Sequence, residues 1–247
     1  MTSSDRKLVF LDADNTLWDT DGVFAYAQLR LLDRVEAAVG AMAEPDDRLA
    51  FVRAHDQEIA RYHERGLRYP PVLLVEALAA ALGKPAGVDA ADAETIVSAY
   101  LNEIGTTPPL LRGVEPALEH ARRERVRIII LTEGPKRRAH THLSAHGLDH
   151  LVERVVEMRK TPVAYGRIAR IGAPYSRAAM IGDQFRRDIE PALAAGLEAF
   201  HVPSRFRPSW ERSPGGRVFE DLYAAVTAAL DPHSAPISGS PASSTAL

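Results

Sequence analysis

Leu8-Val9-Phe10-Leu11-Asp12-Ala13-Asp14-Asn15-Thr16-Leu17 is the stretch around which the rest of the chain reads. Four apolar residues end abruptly in two aspartates spaced i, i+2. A run of this length and content fits a buried parallel strand, apolar on both faces. Asp12 and Asp14 then stand where the strand opens into a loop, the edge at which open α/β sheets bind ligands. Two carboxylates this close repel unless a cation or a proton lies between them, so they are candidates for catalysis or for a hard metal ion. A plain turn uses the same residues, because Asp, Asn and Thr also build turns and helix caps. The rest of the chain decides between the two uses.

Downstream of the loop Trp18-Asp19-Thr20-Asp21-Gly22, four segments carry helical periodicity: 23–40, 45–65, 70–82 and 89–104. Leu29, Leu32, Val35 and Val39 set the pattern in the first; Pro70-Pro71 opens the third, and Gly83 and Pro85 stop it. None of this reads as strand, so residues 20–107 are expected to form an all-helical insert. From Pro108 the pattern alternates. Helices are expected over 113–125, 136–146, 162–172 and 187–195, and strands over 126–131, 152–156, 178–181 and 198–202. A closing helix follows over 218–230. Strands alternating with helices at this spacing predict βα units and a parallel sheet, an α/β fold with a Rossmann-like core. The Ser-, Pro- and Ala-rich residues 231–247 are expected to be a disordered tail.

Composition narrows the functional classes. With 247 residues, 46% of them hydrophobic, the chain is long enough for one large domain or a domain with an insert. A net charge of −3 offers no basic field for nucleic acid or an anionic membrane surface. The absence of cysteine excludes disulfides, thiolate metal sites and a cysteine nucleophile. The first strand begins too early for a signal peptide, and no apolar run approaches the ~20 residues that span a bilayer. A cytoplasmic protein is expected. Lysines are confined to Lys7, Lys84, Lys136 and Lys160, so a mechanism that needs one has few to choose from.

The strand ends supply the deciding pattern. The first ends in Asp12 and Asp14, the second in Thr132, and the fourth in Asp183 with Asp188 five residues on; Lys160 follows the third. A parallel sheet brings these ends to one edge. Several carboxylates, a hydroxyl and one lysine gathered there describe a site for Mg²⁺ and a phosphate.

In order along the chain, Asp12-Ala13-Asp14-Asn15-Thr16, Thr132, Lys160 within Arg159-Lys160-Thr161-Pro162, and Gly182-Asp183 through Asp188 resemble the haloacid dehalogenase (HAD) superfamily. Its motifs read DxDxT, a strand-end Ser or Thr, a lysine, and GDxxxxD. The resemblance spans roughly residues 7–203, and the helical stretch falls where that family inserts a C1-type cap. It implies that Asp12 is the nucleophile and Asp14 the general acid and then base. It implies Mg²⁺ on Asp12, the Asp14 carbonyl and Asp183, with Asp188 a supporting or alternate metal group. Thr132 and Lys160 would hold phosphoryl oxygens with the Glu133 and Gly134 amides, and Thr16 and Trp18 would lie near the substrate. Lys136 competes with Lys160, but the Lys-Thr-Pro-x-x-Tyr context favours Lys160. The family's dehalogenases lack an acid at the second aspartate, so Asp14 favours phosphoryl chemistry. C–halogen cleavage, phosphotransfer or mutase chemistry, and a non-catalytic binder of a phosphorylated ligand are the rival outcomes. A small phosphorylated substrate is expected, with neither nucleic acid nor membrane as partner, and a monomer or homodimer.

Three features read as bland. His140, His142, His146 and His150 fit a solvated helix face better than a zinc site, which would need further fixed ligands. His55 and His63 share a helix face in the insert and fit a surface or an interface better than a substrate contact. Trp18 fits either a flap residue beside the site or a packing residue.

Overall fold

The computed structural model describes residues 6–64, 66, 69–205 and 217–231. Its chain divides into two compact units, one contiguous over Thr20–Pro108 and one discontinuous over Met1–Asp19 and Pro109–Leu247.

Among the described residues the contiguous unit holds four α-helices, α1 (Thr20–Val39), α2 (Arg48–Tyr62), α3 (Val72–Ala81) and α4 (Ala90–Ile104). Helix α1 begins at Thr20, so the expected loop ends sooner and Asp21 falls in the first helical turn, where an acid is favoured. The Asp47 and Asp89 carboxylates accept from the Ala50 and Asp92 amides and fix the starts of α2 and α4. Leu31, Leu32, Val35, Leu74, Val75 and Leu78 meet in a core of their own, with Ile96 and Tyr100.

The discontinuous unit is α/β. In chain order it holds β1 (Lys7–Asp12), α5 (Val114–Arg123), β2 (Arg127–Thr132), α6 (Lys136–Ala145), β3 (Arg154–Glu157), α7 (Pro162–Gly172), β4 (Arg177–Gly182), α8 (Glu190–Ala194), β5 (Glu198–His201), β6 (Arg217–Val218) and α9 (Leu222–Leu230). All strand pairs are parallel, in the order β3-β2-β1-β4-β5-β6. Strand alternation sorts β1 onto two cores. Val9 and Leu11 pack with Val114, Leu118, Leu143 and Val226 on one face, and Leu8 and Phe10 with Tyr165, Ile168 and Ile189 on the other. Each packed face explains the near-continuous apolar strand sequences.

Two elements differ from expectation. Arg217 and Val218 pair with Phe200 and His201 as a sixth strand, and the last helix starts only at Leu222, after the Asp221 side chain caps the Ala224 amide. The expected helix 187–195 opens as a π-helical turn, Phe185–Ile189, and becomes α-helical only from Glu190. Pro191 has no N–H with which to close an α-helical turn back onto Arg187. Beyond Asp231 the expected tail lies outside the described residues. Among the described residues, no helix is long and apolar enough to cross a membrane.

Candidate active site

Strand order reverses between β1 and β4, and β1 ends there in Asp12. Such a switch point opens a crevice at the carboxyl edge of a parallel sheet. The register brings the other residues level. Asp12 lies opposite Leu131, one residue before Thr132, and Leu11 lies opposite Ile181, one residue before Gly182 and two before Asp183.

After Asp12 the chain turns sharply. The Leu17 amide donates to the Ala13 carbonyl at 2.9 Å, the Asn15 amide to the Trp18 carbonyl at 2.9 Å, and Asn15 itself takes φ +60°. Asparagine tolerates this left-handed region better than most side chains, so the turn forms without a glycine.

Lys160 Nζ lies 2.5 Å from Asp12 Oδ1 and 2.5 Å from Asp188 Oδ1, with its side chain 5% exposed. Asp188 is enclosed; its Oδ2 accepts from the Gln184 amide at 3.1 Å, and the Tyr165 hydroxyl stands 3.5 Å from Oδ1. The π-helical turn aims Asp188 inward, and Gly182 makes the space: a Cβ there would fall 2.5 Å from the Asp188 side chain. Asp183 is 5% exposed, and its two carboxylate oxygens make no hydrogen bond of ordinary geometry. Its backbone carbonyl receives His201 Nε2 at 2.8 Å, which ties the end of β5 to the loop after β4.

Electrostatics mark the cluster as incomplete. Burial pushes the Asp12 carboxyl up to about 7 against the pull of Lys160, and the Asp188 charge adds to the rise. Burial, then Asp12 and Asp188, hold Asp183 well above the usual carboxylate range. Burial opposes the Lys160 charge, but Asp12 and Asp188 outweigh it and keep the ammonium well above its ordinary value. Three carboxylates thus share one lysine. Ligand oxygens of Asp12, Asp183 and Asp188 all lie within 4.8 Å of one another. Hard oxygen donors and an excess of negative charge over the single Lys160 ammonium fit a divalent cation such as Mg²⁺.

Thr132, 3% exposed, accepts the Gly134 amide on Oγ1 at 2.9 Å. The Glu133 side chain accepts the Lys160 amide at 3.0 Å and pairs with Arg187, so one carboxylate links the loops after β2, β3 and β4. Lys136, the competing lysine, is exposed, with its amide on Glu157.

Two substrate-binding candidates are buried. Thr16 has no exposed surface, and the Trp18 ring belongs to the core beside Val114, Ala139 and Leu143. Both lie in the packing under the turn, and for Trp18 the packing use is the one observed. His142 also departs from expectation. It is 2% exposed, edge-on to Trp18 at 5.1 Å, and its Nε2 accepts from Arg138 Nε at 3.2 Å. Burial, helped by the Arg138 charge, lowers its pKa. His140 and His150 do face solvent. In the helical unit, His55 packs edge-on to Phe51 and His63 near Tyr69. Sequence reasoning missed Tyr165 and His201 altogether. Tyr165 lay within the quoted lysine motif, whereas nothing local signals His201.

The family model described as haloacid dehalogenase-like hydrolase matches residues 6–196. The chain resembles a haloacid dehalogenase-like family hydrolase from Xanthomonas campestris, with 21% identity, 93% of this chain and 97% of that one covered, and a TM-score of 0.67. It resembles YfnB from Bacillus subtilis, solved bound to magnesium, at 20% identity, 80% and 88% coverage and a TM-score of 0.57. It also resembles CbbY from Rhodobacter sphaeroides in complex with phosphate, at 17% identity, 88% and 95% coverage and a TM-score of 0.52. At these identities the structural likenesses speak to the fold alone. No curated protein shows significant sequence similarity to the chain.

Proposed function

The chain belongs to the haloacid dehalogenase-like hydrolases, and from that premise we propose that it hydrolyses a small phosphomonoester with Mg²⁺ as cofactor, through an aspartyl-phosphate on Asp12. The observation that carries this reading is the division of labour at the end of β1. Asp12 Oδ1 is held by Lys160 at 2.5 Å, while Asp14, two residues on, has its Oδ1 on the Trp18 indole and is not bound to that lysine. One carboxylate is poised as a nucleophile, and the other is kept separate to handle protons.

In the first step an Asp12 oxygen bonds to phosphorus as the P–O bond to the leaving group breaks, and Asp14 gives that oxygen a proton. In the second, Asp14 takes a proton from water, water attacks the phosphoryl group, and Asp12 is released as a carboxylate with inorganic phosphate. Thr132 Oγ1, Lys160 and the amides of Glu133 and Gly134 hold the phosphoryl oxygens. Asp12, Asp183 and the Asp14 carbonyl would hold Mg²⁺, with Asp188 as an alternate ligand. The ion supplies positive charge that offsets repulsion between the anionic nucleophile and the anionic phosphate. Thr20–Pro108 serves as a C1-type cap that chooses the substrate, and the protein works in the cytoplasm as a monomer or homodimer. An intact acid at Asp14 weighs against C–halogen cleavage.

Assay of a phosphate-ester panel with Mg²⁺ tests the proposal. Asp12→Asn is expected to lower turnover by about 10⁴-fold or more, as loss of a nucleophile does, while the circular dichroism spectrum stays native. Near-normal turnover in that variant sinks the mechanism. Organic products carrying the phosphoryl group, in place of free phosphate, would indicate phosphotransfer.

A further inference from the structure

Trp18 is pinned from several sides. Its carbonyl accepts the Asn15 amide, its backbone bridges both Asp14 and Leu110, and the neighbouring Asp19 amide donates to the Pro109 carbonyl at 2.8 Å. Its ring is 1% exposed and meets the buried His142 ring edge-on, and Arg138 in turn holds His142. From this fixed position the indole Nε1–H donates to Asp14 Oδ1 at 3.1 Å. The other oxygen of Asp14 lies beside Gly134. A Cβ built on Gly134 would lie 3.6 Å from Asp14 Oδ2 and 3.3 Å from Thr132 Oγ1, so Oδ2 looks onto the turn that carries Thr132.

An indole nitrogen only donates, so it occupies its acceptor whether Asp14 is charged or neutral. We propose that Trp18 is a positioning residue that assigns the two oxygens of Asp14 separate tasks: Oδ1 is held by the indole, and Oδ2 carries the proton. This rests on the reading of Asp14 as acid and base above. When the Asp12–phosphorus bond forms and the phosphorus–oxygen bond to the alcohol breaks, the alkoxide takes the proton from Oδ2 and Asp14 becomes a carboxylate still bound to Trp18. When water attacks, Oδ2 takes the water proton back. Because the carboxyl cannot swing, its proton-bearing oxygen stays on the Thr132 side through both steps.

A leaving-group series separates this role from simple packing. An alkyl phosphate needs its leaving oxygen protonated, whereas p-nitrophenolate leaves nearly unaided, and kcat/KM reports the first irreversible step. Trp18→Phe keeps an aromatic ring against His142 and removes the N–H together with part of the buried bicycle, a loss of packing that affects every substrate alike. Its kcat/KM is expected to fall roughly tenfold for alkyl phosphates, part of the 10²–10⁴ that general acid catalysis contributes, and by a clearly smaller factor for p-nitrophenyl phosphate. An equal loss across the series, or none, overturns the proposal. Asp14→Asn serves as the reference and should be steeper still. A flat series for Asp14→Asn overturns the reading of Asp14 and this proposal with it; a steep series there beside a flat one for Trp18→Phe overturns this proposal alone. Should Trp18→Phe fail to fold, the unsubstituted tryptophan still decides. With two tryptophans in the chain, the Trp18 indole N–H resonance is expected to be protected from exchange and to shift in Asp14→Ala, which removes its acceptor; a signal unmoved by that change overturns the contact and the proposal with it.

Discussion

The two units bury carboxylates in opposite ways. Glu36, in the helical unit, is 6% exposed and accepts both Arg48 nitrogens at 2.8 Å and the Ala43 amide at 2.8 Å. The Arg48 hydrogen bonds hold it below the usual carboxylate range despite its burial. Asp183, in the α/β unit, exposes as little surface, faces Asp12 and Asp188, and stands well above that range. A buried charge that is fully hydrogen-bonded belongs to the architecture; one left unsatisfied beside like charges is a cost the fold carries for a ligand. Both side chains expose little surface, but Asp183 lies in a deeper enclosure with like charges, whereas Glu36 is matched by an arginine.

The contrast can be broken most directly at Asp183. Asp183→Asn is expected to cut Mg²⁺-dependent phosphatase turnover by roughly 10²-fold or more, in line with the cost of disturbing a metal ligand. The same variant should stabilise the metal-free protein by on the order of 1 kcal/mol, as relief of a strained site does. Chemical denaturation without Mg²⁺ measures the second effect, and a loss of stability there would show that Asp183 is structural after all. Glu36→Gln should do the reverse, destabilising by roughly 1–2 kcal/mol through loss of a charge-assisted pair, softened by the partial exposure of Arg48. Turnover should be little changed by it, and an unaltered denaturation midpoint would remove Glu36 from the comparison.

The smallest expected effect is a pH dependence. The folded state holds the Asp12 proton up to about pH 7, whereas an unfolded aspartate releases it near its ordinary 3.8. Between those values the native state binds more protons than the unfolded one, so this group's contribution to metal-free stability falls as pH rises through that window. Mg²⁺ requires the ionised carboxylates and competes with those protons. Its thermal stabilisation should therefore be slight near pH 5.5 and grow to a few degrees by about pH 8, a change that differential scanning calorimetry resolves. A larger Mg²⁺ shift at the acidic end would contradict the assignment of Asp12 and Asp183 as its ligands.

Legibility followed the physics of each signal. The parallel α/β sheet could be read because strands packed on both faces must be apolar runs, and the runs ending at Asp12, Thr132 and Gly182 are such strands. The same logic brought the chemistry-bearing residues to one edge. β6 escaped because two residues carry no periodicity, and the π-helical turn because widening one helical turn by a residue leaves no residue-type signature. His142 was misassigned although a cue existed: Ala139 and Leu143 mark the inward face of α6, and His142 is three residues from one and adjacent to the other. Spacing from the apolar positions, and not spacing between histidines, marks the buried one. Trp18 shows a different limit. Its packing could be anticipated from the preceding Leu17, but the direction of its N–H depends on a turn that only the folded backbone defines.

One consequence of the strand order concerns the ribosome. β1 lies between β2 and β4, yet its last residue, Asp12, precedes the first residue of β2, Arg127, by more than a hundred residues. At the ~5–20 residues per second of synthesis, β1 is outside the tunnel for several seconds or longer before its first partner exists. During that wait the contiguous Thr20–Pro108 segment, which packs a core of its own, has time to assemble. A strand with four consecutive apolar residues, Leu8–Leu11, and both edges unpaired is a natural site for chaperone capture, so the strand made before all the others of its sheet waits longest for its partners.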